Sequence, residues 1–367
     1  MMKTWILAGA AAVAGLALTG AARADIVIAT AGPMSGQYAL FGELMKAGAE
    51  QAVADINKAG GVNGEKLVLE IADDECDAEK AVAIANQMVG KGAVFMAGHF
   101  CSEPSIAASA VYAREGIVEM SPGAGNPKYT DERPGPGIYR LGAREDQQGK
   151  TVGAFLAENY KGRNIAILHD SSVYGKGLAD AAKAVMNDAG VFETLYEAYT
   201  PGEKDYSQLV SKLKGEAVDA LFIGGFPAEA GLIKRQMVER GMKTVLVSGE
   251  ALLSDEYWAI SGPAGEGTLV TYYPDPRKIE AAGPVIAELE KAGQPSERYA
   301  LLTYAAIQIF ARAAEAAGST DFKALVRVID DGDFSTILGP VSFDANGDSS
   351  LPGYVWYEWK NGKYDYK

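Results

Sequence analysis

Residues 98–105, Gly98-His99-Phe100-Cys101-Ser102-Glu103-Pro104-Ser105, hold the turn around which the chain is organised. An apolar run of strand length, 93–97, leads into it, and a helical run of small residues, 106–113, leads out. A strand that ends in glycine and gives way to Ser-x-Pro-Ser leaves N–H groups of the first helical turn without intrahelical partners. Together with the serine hydroxyls they form a seat for an anion such as a carboxylate.

Outward from this turn, strand-length apolar runs alternate with helical patterns, the mark of helices packed on both faces of a parallel sheet. The first half predicts strands over 26–30, 67–72, 93–97 and 117–120, with helices over 42–58, 78–89 and 105–115. Residues 121–136 interrupt the pattern with four prolines and three glycines. The alternation resumes after Arg144, with helices over 148–159, 176–189, 206–214 and 228–240 and strands over 165–169, 193–198, 220–223, 244–248 and 268–271. A second discontinuity is Tyr272-Tyr273-Pro274-Asp275-Pro276, followed by helices over 279–292, 300–317 and 322–329. The end reads as a hairpin of 339–343 with 354–359, turning at Asp344-Ala345-Asn346-Gly347-Asp348. That turn is a poor calcium loop, because its glycine falls two places early and Val355 stands where the loop needs glutamate. A solvated turn is expected there. Two similar halves in succession predict an α/β protein of two doubly wound parallel-sheet lobes.

The first 24 residues carry a different message. Lys3, an apolar stretch over 6–18 too short to span a bilayer, and Ala22-Arg23-Ala24 have the layout of a secretory signal peptide cut after Ala24. Of 367 residues 343 would remain, enough for two domains, and no later window is apolar enough to span a membrane, so a soluble periplasmic product is expected. Without Lys3 and Arg23 the 34 basic residues become 32 against 48 acidic, a net charge of −16. Such a surface repels phosphate backbones and argues against a nucleic-acid partner.

Cys76 and Cys101 are the only cysteines, each at the carboxyl end of a predicted strand. In an exported chain they read as one disulfide closing a loop of about 25 residues, a constraint of about 3 kcal/mol in the chain-entropy model. A Cys101–His99 nucleophile is the rival reading. Adjacent strand residues point to opposite faces, which disfavours it. With two histidines and no H-E-x-x-H, C-x-x-C, Walker A, G-x-S-x-G or strand-linked G-x-G-x-x-G, no catalytic, metal or cofactor constellation is found. Asp73-Asp74-Glu75 reads as a solvated loop. A binding protein is expected, not an enzyme.

Several stretches then fall into a familiar order: Gly32-Pro33-Met34-Ser35-Gly36, 48–57, Gly60-Gly61-Val62-Asn63-Gly64, Asp73-Asp74-Glu75-Cys76-Asp77 and Gly98 to Ser102. The series continues with Ser121-Pro122, His169-Asp170, Tyr174-Gly175-Lys176-Gly177, 202–206, Gly224-Gly225 and Thr303-Tyr304-Ala305-Ala306. In order and spacing the chain resembles the periplasmic branched-chain amino acid binding proteins, the substrate-binding components of ABC importers with the type I periplasmic binding fold. The resemblance implies two lobes joined by three crossovers, closing on a ligand like a hinged trap. The N-terminal lobe would hold 25–143 plus 274–351 and the C-terminal lobe 144–273 plus 352–367. It also implies a monomer that meets an inner-membrane ABC permease.

By the same resemblance Ser102 receives the ligand carboxylate, beside Cys101 and the loop Gly123, Ala124 and Gly125. Glu250 receives the ammonium from the opposite lobe. Tyr174 and Phe226 are aromatic contacts from the second lobe, and Phe41, Phe100 and Tyr304 are walls on the first. Ser102 as a plain helix cap, Glu250 as an exposed loop acid and the phenylalanines as simple core are the alternatives. The family's Ser-Pro-x-Ala-Thr loop reads here Ser121-Pro122-Gly123-Ala124-Gly125, which removes a head-group hydroxyl worth about 1 kcal/mol. An aliphatic amino acid is expected first. An aromatic or other small carboxylate, or a γ-amino acid, is the alternative, as is a ligand sensor with the same fold.

Overall fold

The computed structural model describes Met1, residues 25–142 and residues 144–367. The expected signal peptide and the hinge position 143 lie outside the described residues. Five parallel strands form the first sheet: β1 (Ile26–Gly32), β2 (Leu67–Asp73), β3 (Phe95–Gly98), β4 (Val118–Ser121) and β5 (Ile138–Arg140), in the order β2-β1-β3-β4-β5. The residues of β1, β3, β4 and β5 are almost all buried on both faces, as parallel strands between helices require, while the edge strand β2 leaves Val68 and Ile71 exposed. Helix Ala39–Lys58 buries Phe41, Leu44, Met45, Gly48, Ala49 and Ala52, the three-to-four spacing of one helical face. It crosses helix Arg298–Ala317 closely, since a Cβ on Gly48 would lie 1.9 Å from the carbonyl oxygen of Ala300.

The second sheet has seven strands. β6 (Ile165–His169), β7 (Leu195–Ala198), β8 (Ala220–Gly224), β9 (Val245–Ser248) and β10 (Leu269–Tyr272) are parallel, in the order β10-β9-β8-β6-β7. Two antiparallel strands, β13 (Val355–Lys360) and β14 (Lys363–Tyr366), extend its β10 edge. The hairpin expected from 339–343 and 354–359 does not form. Gly339–Val341 (β12) pairs with Phe334–Thr336 (β11), while β13 crosses to β10 and buries Trp359, whose indole donates to the Leu252 carbonyl at 3.0 Å. Asp348 is no solvated turn residue either. Its carboxylate binds Arg140 at 2.7 Å and Arg144 at 2.8 Å, and these cations hold it below the usual carboxylate range.

The chain passes from the first sheet to the second after Arg140, returns after Tyr272, and crosses again between Ser349 and Val355. In each sheet the strand order reverses next to the strand that opens the lobe, between β1 and β3 and between β6 and β8. Crevices at such switch points, outside the carboxyl ends of the strands, are where open α/β sheets hold ligands. Among the described residues, no helix is long and apolar enough to cross a membrane.

Candidate functional site

The organising turn falls at the carboxyl end of β3, on the first switch point. Helix Ser102–Glu115 starts three residues earlier than the sequence suggests, with Cys101 in the capping place and Ser102 as its first residue. Ser102 is thus no plain cap. Its Oγ accepts the Asn126 backbone N–H at 3.1 Å, and as a hydroxyl it keeps its own hydrogen for another acceptor. The disulfide Cys76–Cys101, with Cα atoms 5.5 Å apart, ties this turn to the end of β2. His99 is buried, with Nδ1 2.6 Å from Asp74 and Nε2 3.0 Å from Tyr112. The pairing corrects the expectation of a solvated acidic loop, for Asp74 is fully buried, and the disulfide leaves Cys101 no free thiolate.

From the other lobe, the ends of β6, β8 and β9 supply Tyr174, Phe226 and Glu250. Together with Phe100, Cys101, Ser102, Gly123, Ala251 and Tyr299 they line a narrow cavity of about 10 Å³. That is room for about one water molecule, so a larger ligand needs the facing walls to move apart. The walls are aromatic: Phe100 stacks on Phe41 at 4.7 Å, Tyr299 meets Phe100 edge-on at 4.8 Å, and Tyr174 lies 5.5 Å from Phe226. Glycine is required at 123, where a Cβ would come within 2.5 Å of the Phe100 ring.

Glu250 is the anomaly in this apolar setting. Its residue is 5% exposed and its Oε2 has no hydrogen-bond partner among the described residues. Burial raises its carboxyl pKa, partly offset by Gln148, Arg298 and Tyr174. The Tyr174 hydroxyl is also unpartnered, and burial, then Glu250, push it well above the ordinary phenol range. An unpaired acceptor beside an unpaired hydroxyl can receive a cation with N–H donors.

The sequence-derived residues do not all meet here. Phe41 is buried behind Phe100 and does not line the cavity. Ala124 lies beneath it, its N–H donated to Ser121 Oγ at 2.9 Å and its carbonyl taken by Arg140 at 2.6 Å. The Gly125 carbonyl accepts the Glu145 N–H at 2.9 Å, so that residue is turned to the lobe interface. Tyr304 lies elsewhere, and its hydroxyl donates to Asp55 at 3.1 Å. Phe95 stacks on Phe310 while Phe100 meets Tyr299, so helix Arg298–Ala317 runs antiparallel to β3 with its start at the cleft. Five residues on, Tyr304 is about 7.5 Å further from the cleft and turned by about 140°. Tyr299, one residue before the helix expected from the sequence, is the aromatic that the sequence reading missed.

Residues 25–363 match the family model described as periplasmic binding protein. The chain is 42% identical over 372 residues to Leu/Ile/Val-binding protein homolog 1 of Brucella suis biovar 1 (strain 1330), covering 100% of this chain and 99% of that one. Among solved structures, an ABC transporter substrate-binding protein from Desulfitobacterium hafniense in complex with Leu superposes with a TM-score of 0.76 at 28% identity, covering 94% of this chain and 100% of the other. A leucine binding protein from Thermotoga maritima superposes at 0.84 with 24% identity, over 93% and 97% of the two chains.

Proposed function

The chain belongs to the periplasmic binding protein family, and on that premise we propose that it captures an aliphatic amino acid of the branched-chain type between two closing lobes and delivers it to an ABC permease of the inner membrane. The lobes are 25–143 with 274–351 and 144–273 with 352–367, and residues 1–24 direct export to the periplasm. One observation carries the reading: a buried carboxylate, Glu250, without a hydrogen-bond partner on Oε2 shares a small apolar cavity with a serine at a helix start.

Each part of a zwitterion then has its counterpart. The ligand carboxylate accepts from the Ser102 hydroxyl and the first-turn N–H groups, where the helix dipole favours negative charge. The ammonium lies against Glu250 and the Tyr174 hydroxyl. Phe100, Phe226 and Tyr299 exclude water from an apolar side chain, and burial of each methylene contributes about 0.8 kcal/mol. No step of bond making is involved, so the protein acts as a carrier and not as an enzyme. The aromatic walls favour, as a second reading, a small aromatic carboxylate.

A thermal-shift screen separates the two. Under the first reading leucine, isoleucine or valine at a hundredfold excess over Kd stabilises the fold by about 2.7 kcal/mol. Benzoate raising the melting temperature while the aliphatic amino acids leave it unmoved would overturn that reading in favour of the second.

A further inference from the structure

Asn126 and Glu145 meet at the edge of the cleft. Asn126 belongs to the loop after β4, and Glu145 heads helix Glu145–Asn159, which packs on helix Val173–Asp188 of the other lobe. Asn126 Nδ2 lies 2.6 Å from Glu145 Oε1 and 3.2 Å from the Val173 carbonyl. The Glu145 N–H reaches back to the Gly125 carbonyl at 2.9 Å. Asn126 also donates its own backbone N–H to Ser102 Oγ, so one residue touches both the opposite lobe and the carboxylate seat. Glu145 is 1% exposed, its Oε2 is unpartnered, and a Cβ on the facing Gly177 would lie 2.1 Å from its Oε1.

We propose that Asn126 and Glu145 form an interlobe latch that makes closure of the cleft and the aiming of the Ser102 hydroxyl a single event, both acting as positioning residues. The proposal rests on the reading of Ser102 as the carboxylate seat. A serine oxygen engaged by one N–H turns its own hydrogen away from that donor, here toward the cleft. When the lobes part, Asn126 loses Glu145 and Val173, and the loop that orients Ser102 loses its outer anchor. The coupling is reciprocal: what the latch adds to ligand affinity, the ligand adds to closure. Groups facing Glu145 are Arg140 from β5, Glu250 beyond β9, Tyr174 from the helix Val173–Asp188 and Asp146 on its own helix. Burial is the largest influence on its carboxyl and raises its pKa, Arg140 acts the other way, and Glu250 raises it further.

The test is Asn126→Asp, which sets a second carboxylate against Glu145. Two carboxylates in hydrogen-bond contact do not both stay ionised without strong repulsion, and one shared proton, taken up more readily as pH falls, restores the bond. At pH 7.5 N126D is expected to bind L-leucine about 30-fold more weakly than wild type, with faster release. This ratio should shrink as pH falls to 5, and adding Glu145→Gln, which offers an amide donor to the introduced carboxylate, should relieve it without the acid. N126A, which keeps the backbone N–H on Ser102, should lose about tenfold at all pH values. Variants that bind leucine as wild type does, or a deficit in N126D that neither acid nor E145Q relieves, would overturn the latch. Wild type that ignores leucine overturns the ligand reading instead. The latch is then judged by the same ratios with benzoate.

Discussion

Arg298 donates from Nη1 to the backbone carbonyl of Glu250, joining the head of a first-lobe helix to the residue that carries the negative charge of the cleft. The guanidinium is buried, its Nε and Nη2 have no hydrogen-bond partner among the described residues, and it lies over Tyr272 and Tyr299 at 5.7 and 5.4 Å. Cation and carboxylate thus partly neutralise one another in a site from which water is excluded. Arg298→Met removes both the carbonyl anchor and the compensating charge. Affinity for an aliphatic amino acid should fall about tenfold at pH 7.5, by calorimetry, and the deficit should grow toward pH 6 as the Glu250 carboxyl takes up a proton more readily. A loss that stays constant across that range would mean Arg298 acts through packing alone.

Glu250 itself should make binding proton-linked. Burial raises its carboxyl pKa in the ligand-free cleft, and an arriving ammonium favours the ionised form. Below that raised pKa a proton must leave before the amine can pair, so Kd should rise up to about tenfold per unit of falling pH. Glu250→Gln keeps the size and removes the charge. It should weaken amine ligands by about 2 kcal/mol and flatten the pH profile, while a carboxylate without an amine binds it no more weakly than wild type. An unchanged leucine affinity in this variant would show that the acid does not face the ligand nitrogen.

How far the sequence carried these points depends on how local each cause is. Helix Ala39–Lys58 and the β1 run were legible because their burial pattern is written in residues one to four places apart. Ser102 and Glu250 were legible by motif and by their places after strands. β13 was misread because its partner β10 lies more than 80 residues away and local turn chemistry favoured a hairpin. Tyr299 lost to Tyr304 because only the antiparallel course of the helix along β3 says which end reaches the cleft. Asn126, Arg140 and Glu145 carry no local signal, since their mutual contacts span 14 to 19 residues and form only once the loop after β4 folds back against β5 and the head of helix Glu145–Asn159.

Lys234, in helix Pro227–Glu239, offers a test of stability away from the ligand. It is 6% exposed, its Nζ donates to the Thr244 carbonyl at 2.9 Å, and no carboxylate pairs with it among the described residues. Burial lowers its pKa to about 8, against about 10.4 for an unfolded lysine. Below pH 8 the amine is charged in both states and the folded state bears the full penalty. Between about 8 and 10.4 the unfolded chain binds more protons than the folded one, so this residue's contribution to stability rises with pH. Lys234→Met keeps the volume and removes the charge. The shift corresponds to about 3 kcal/mol, less about 1 kcal/mol for the lost hydrogen bond, so the variant should be about 2 kcal/mol more stable at pH 7. Denaturant melts of both proteins at pH 7 and pH 10 measure this, and the advantage should have largely gone at pH 10. An equal advantage at both values would place the gain in packing, and a loss at pH 7 would mean that the bond to Thr244 outweighs the buried charge.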